Sequence, residues 1–117
     1  MTLRLEWYEK RCKGKLHEGE RVLAAVHAHS AYLTTAWIPK VFYPLFNRHV
    51  VVTNERTMVF GPGMWKIIAE YPRGQTNASQ TGNYLTIGNE RLFVDTGVMV
   101  GPLKRIVDEV VQSANGL

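Results

Sequence analysis

One cysteine, Cys12, stands in a chain of 117 residues. A lone thiol makes no internal disulfide and no cysteine cluster for zinc, which points to a reducing compartment. No uninterrupted apolar run reaches the ~18 residues that a membrane span needs. Residues 31–46 come nearest, and Pro39, Lys40 and Pro44 interrupt them. The first ten residues carry charges too early for the apolar region of a secretory signal, and Thr2 stands where a myristoylated chain needs glycine. The expected location is therefore cytoplasmic, with a position peripheral to a membrane as the alternative. Neither a Gly-x-Ser-x-Gly elbow nor a phosphate-cradling glycine loop is present. The reading is accordingly of a protein that is not an enzyme, with no catalytic residue, no cofactor and no metal assigned. Without an RNP-like or helix-turn-helix signature, nucleic acid is the least supported partner.

What is present is a single domain's worth of sequence. Hydrophobic residues make up 45% and charged residues 21%, enough for a core, and the net charge is +4. A mildly basic balance permits an anionic partner and does not require one.

Leu3, Leu5, Tyr8, Cys12 and Leu16 recur at mostly three- and four-residue steps, which predicts an amphipathic helix over 3–16 within an amino-terminal segment 1–17. Val22, Ala24, Val26 and Ala28 alternate with Leu23, Ala25, His27 and His29, the period of a strand. Residues 48–53 and 57–60 predict a hairpin over residues 54–56, and Gly61-Pro62-Gly63 predicts the next turn. Residues 64–71 read as a further strand and 72–83 as a polar, mobile loop. Residues 84–87 and 90–95 pair across Gly88-Asn89, and another strand is expected at 98–100. Pro102 opens a closing helix over 101–115, with Leu103, Ile106, Val107, Val110 and Val111 as its apolar stripe. On its outer side, Lys104 and Asp108, and Arg105 and Glu109, make opposite-charge pairs four apart.

This order resembles the bacterial pleckstrin-homology-like (PH-like) domain. Val51-Val52-Thr53-Asn54-Glu55-Arg56-Thr57-Met58-Val59-Phe60-Gly61 resembles its strand–turn–strand, a threonine-led polar turn feeding a second apolar strand and a glycine. Gly19-Glu20-Arg21-Val22-Leu23 resembles its opening, and residues 100–111 match its closing helix in kind. The resemblance covers roughly residues 18–114. It implies an α+β, mainly β fold: a curved antiparallel sheet or partly open barrel of about seven strands over 18–100, capped by the carboxy-terminal helix. The amino-terminal helix is an addition to that pattern. The family binds lipid head groups, peptides or proteins, and bacterial members often self-associate. Phosphoinositide binders in the family cluster Lys and Arg between the first two strands. Here that loop offers only Lys40 and then Arg48, so the resemblance does not carry phosphoinositide binding with it.

Three sets of residues are candidates for function. Trp37, Ile38, Lys40, Val41, Phe42, Tyr43 and Phe46 crowd one loop with aromatics. Such a patch either finishes the core or meets a partner, most simply a second copy of the chain. Trp7, Lys10, Arg11, Lys13, Lys40 and Arg48 would suit an anionic membrane surface. His27 and His29 share one strand face and could share a metal, with a third ligand from His17, His49 or Glu20, but nothing in the sequence fixes those distances, and an exposed or half-buried strand face is the favoured reading. Cys12, on the apolar stripe beside Tyr8, is expected buried rather than reactive. Asn77-Ala78-Ser79 fits a glycosylation sequon; with no secretory signal read at the start of the sequence, the match is expected to be chance.

Overall fold

The computed structural model describes residues 2–34, 36–94 and 101–116. Helix α1 (Thr2–Cys12) is followed by strands β1 (Val22–Ser30), β2 (Asn47–Thr53), β3 (Arg56–Phe60), β4 (Ile67–Pro72), β5 (Ala78–Thr81), β6 (Tyr84–Ile87) and β7 (Glu90–Phe93), and then by helix α2 (Gly101–Ala114). The strands form one seven-stranded sheet in the order β4-β3-β2-β1-β7-β6-β5, antiparallel at every pairing. This is the α+β, mainly β architecture expected: an unclosed antiparallel sheet with a helix at each end of the chain.

Alternation along the strands gives the sheet two apolar faces, and each takes one helix. Ala24, Val26, Ala28, Val50, Val52, Val59, Leu85, Ile87 and Leu92 pack with Ile106, Val107, Val110 and Ala114 of α2. Ala25, Val51, Met58 and Phe60 face the other way and pack with Tyr8 and Cys12 of α1. The pairing register shifts between Val22 and Ala24. A bulge there explains why these residues, two apart on one strand, lie in opposite cores.

The sheet curls so that its two ends meet around α2. Tyr71 of β4 reaches the β6–β7 turn, where its hydroxyl accepts the Asn89 amide N–H at 3.2 Å. Gly88 in that turn has φ +58, and a Cβ there would lie 2.4 Å from Tyr71 Cε1. Glycine is required on both counts.

Several boundaries differ from the sequence reading. Helix α1 stops at Cys12, whose carbonyl accepts the N–H groups of Lys15 at 2.7 Å and Leu16 at 3.1 Å and closes a turn around Gly14. β4 begins at Ile67, because residues 62–64 make a tight helical turn with Gly63 at φ 67 and Met64 at φ 58. The stretch 72–83, read as a loop, contains β5. The Asn115 side chain holds that strand at Ala78, accepting its N–H at 3.3 Å and donating to its C=O at 3.1 Å, while the Gly74 N–H donates to the Ala114 carbonyl at 2.9 Å. The strand expected at 98–100 lies outside the described residues.

Candidate interaction surface

The crossing from β1 to β2 is built of two short 3-10 helices, Ala31–Thr34 and Lys40–Phe46. Pro39 precedes the second and Pro44 lies within it, so no strand continues there. With no ladder to join, the side chains turn outward. Trp37 is 89% exposed and Val41 78%; Tyr32, Phe42, Tyr43 and Leu45 are exposed as well. Lys40 is exposed beside them, while Ile38 and Phe46 are half-buried. Phe46 stacks on Tyr32 with ring centres 5.9 Å apart. The candidate set therefore divides: Trp37, Lys40, Val41, Phe42 and Tyr43 face solvent, while Ile38 and Phe46 are half-buried, with Phe46 stacked on Tyr32.

The patch continues past this loop. Residues 40–46 pack against the Pro62–Met64 turn, and Trp65, next in the chain, is 84% exposed. Arg11 of α1 donates to the Gly63 carbonyl at 3.3 Å and lies 5.5 Å from the centre of the exposed Trp7 ring. Lys10, Arg11, Lys15, Gly63, Met64 and Trp65 line one open depression. Trp7, Lys10 and Arg11 thus join the aromatic surface through this turn. Lys13 is exposed in the turn that follows α1. Arg48 has a different task. Its guanidinium donates to the Leu45 and Asn47 carbonyls at 3.0 and 2.8 Å and fastens the end of the loop; burial lowers its pKa, against a raising influence from Glu90.

At the other end of the β1–β2 ladder lies a buried ion pair. Arg56 Nε donates to Glu20 Oε2 at 2.9 Å, its Nη2 to Oε1 at 3.1 Å, and its Nη1 to Glu70 at 2.8 Å. Thr53 Oγ1 donates to Glu20 and accepts the amides of Glu55 and Arg56, so the β2–β3 turn is built on this pair. Burial pushes the Glu20 carboxyl up, but hydrogen bonds from Arg56, Thr53 and the His17 amide outweigh it and hold the group below its ordinary value. The Glu20 hydrogen bond raises Arg56 in turn. Cys12 is fully buried, and burial pushes its thiol up to about 11.

Among the described residues, the ligand atoms of His17, Glu20 and Glu55 come within 4.8 Å of one another. Both Glu20 oxygens are already engaged by Arg56, and a guanidinium beside them repels a cation. The arrangement serves the ion pair. His27 and His29 do share a face, as the alternation implied, and the cross-strand partner of His27 is His49.

Trp65 was hidden inside an expected strand; its place two residues after a Gly-Pro-Gly turn was the available signal. The Glu20–Arg56 pair joins residues 36 apart and left none. The chain matches no family model, no curated protein and no solved structure. Among the described residues no helix is long and apolar enough to cross a membrane.

Proposed function

We propose that this chain is a non-enzymatic, PH-like assembly module that binds a second copy of itself through the aromatic surface between β1 and β2. The exposure of Trp37, Val41, Phe42, Tyr43 and Leu45 in one crossing carries the reading. The molecule has apolar cores on both sheet faces without them, so they are left over from folding. Large aromatics and methionine are what the centres of protein interfaces favour, and contiguous apolar surface on a folded domain marks a contact site. The strand order and the carboxy-terminal helix support the PH-like assignment. Basic residues on α1 supply steering rather than affinity. The reading places the protein in the cytoplasm. Sedimentation velocity over a wide concentration range tests it: the mass rises from 13.3 kDa toward a defined multiple, and a single monomer throughout contradicts it.

A second reading rests on Trp7 and Trp65 lying beside Lys10, Arg11 and Lys15. Aromatic rings with cations around them suit a peripheral position on an anionic bilayer. Co-sedimentation with phosphatidylserine vesicles that is lost at high salt would favour that reading. No binding at low salt would remove it.

A further inference from the structure

We propose that the depression between α1 and the Pro62–Met64 turn binds single-stranded nucleic acid, with a base stacked on Trp65 and backbone phosphates held by Lys10, Arg11 and Lys15. Its residues lie outside the β1–β2 crossing, so it does not depend on self-association. Sequence motifs gave nucleic acid the least support because the parts of this site are scattered along the chain. Folding brings Lys10, Arg11 and Lys15 to Gly63, Met64 and Trp65.

The charge there is of one sign, since the lining includes these cations and no carboxylate. Among the described residues, no carboxylate forms an ion pair with Lys10, Arg11 or Lys15. Such a surface draws a polyanion and releases the counterions condensed on it. Arg11 is already placed. Its Nη2 donates to the Gly63 carbonyl at 3.3 Å, and its guanidinium lies 5.5 Å from the centre of the Trp7 ring. A guanidinium carries several N–H donors in a planar fork, so these contacts orient it and leave donors for a phosphate.

Trp65 supplies what a purely basic patch lacks. One edge of its indole rests against Gly63, where an added Cβ would lie 3.2 Å from Nε1, and the residue is 84% exposed. Met64, just before it, has φ 58, a left-handed conformation that costs energy at a residue with a Cβ and recurs where ligands are clamped. Stacking on an aromatic ring tolerates any base, because every base has a π-face. A single strand alternates phosphate and unpaired base, so it engages the cations and the ring together. A bilayer surface offers the phosphates and no planar partner for the ring.

Anisotropy of a dye-labelled oligothymidylate of about 12 nucleotides, within the site sizes of single-strand binders, tests the site. The parent should bind at low salt, and a duplex of the same length should compete poorly. Trp65→Ala should weaken binding about fivefold or more, and Trp65→Phe should keep most of it. Lys10→Gln combined with Lys15→Gln should flatten the slope of log affinity against log salt by about 1.4, the share of two phosphate contacts. Melting midpoints like the parent's show that the variants are folded; the Lys15 carbonyl that accepts Arg56 is main chain and survives the change. No oligonucleotide binding at low salt, a duplex that competes equally, or a Trp65→Ala variant that binds like the parent overturns the proposal. Capture by phosphatidylserine vesicles without oligonucleotide binding gives the surface to a bilayer and overturns it too.

Discussion

Glu20 and Arg56 meet inside the molecule across 36 positions of sequence. The Glu20 carboxyl is held below the 4.5 of an ordinary glutamate, so the unfolded chain binds its proton more readily than the folded one. Its contribution to stability is complete above pH 4.5 and is lost as pH falls through the lower, folded value. Glu20→Gln leaves Arg56 with Glu70 as its one carboxylate partner beside the Lys15 carbonyl and should cost about 3 kcal/mol, the low end for a broken buried pair. It should also flatten the acid limb of a urea-denaturation series. A variant within about 0.5 kcal/mol of the parent, the scatter of ordinary surface changes, contradicts the pair's structural role. Cys12 gives a second prediction at this scale. With its thiol pushed to about 11 and no exposed surface, it should resist alkylation at pH 7 in the native protein and react quickly in denaturant. The Cys12 burial was legible from its apolar stripe. The ion pair was not, because Glu20 and Arg56 each read locally as a turn residue and only the β1–β2–β3 register brings them together.

At the scale of elements, α2 was the most legible part of the chain. Three of its five stripe residues, Ile106, Val107 and Val110, are buried, and Leu103 and Val111 pack at the edge. Its solvent pairs form as spaced, Lys104 with Asp108 at 2.8 Å and Arg105 with Glu109 at 4.0 Å. Ile106→Ala should destabilise by about 2–5 kcal/mol in chemical denaturation, since it opens a cavity against the curled sheet. Retention of the parent's midpoint would show α2 loosely held. β5 escaped sequence reading for a physical reason. Ala78, Ser79, Gln80 and Thr81 are weak strand formers as a set, and the strand is held by its ladder to β6 and by Asn115 from the far end of the chain. Gly88→Ala tests how the two ends of the sheet are joined. A side chain there needs a left-handed backbone and runs into the Tyr71 ring. The melting temperature should fall by several degrees, more than a backbone cost of ~1 kcal/mol alone would bring.

For the whole molecule, the two faces of the sheet are satisfied by the two helices, and the aromatic crossing from β1 to β2 is left facing solvent. The sequence left two readings of that crossing open, because an apolar loop with two prolines can fold inward or outward equally well by composition. The arrangement of α1, α2 and the sheet decides it, since both cores are filled without Trp37 or Phe42. Replacing these residues should therefore leave folding alone and act on association only. The measurement that tests the account most directly is the particle mass of the Trp37→Ser, Phe42→Ser double variant by light scattering, beside the parent and with both melting curves. An associating parent and a monomeric variant with an unchanged melting midpoint is the predicted result. A variant that unfolds as a whole, or one that keeps the parent's mass, contradicts it.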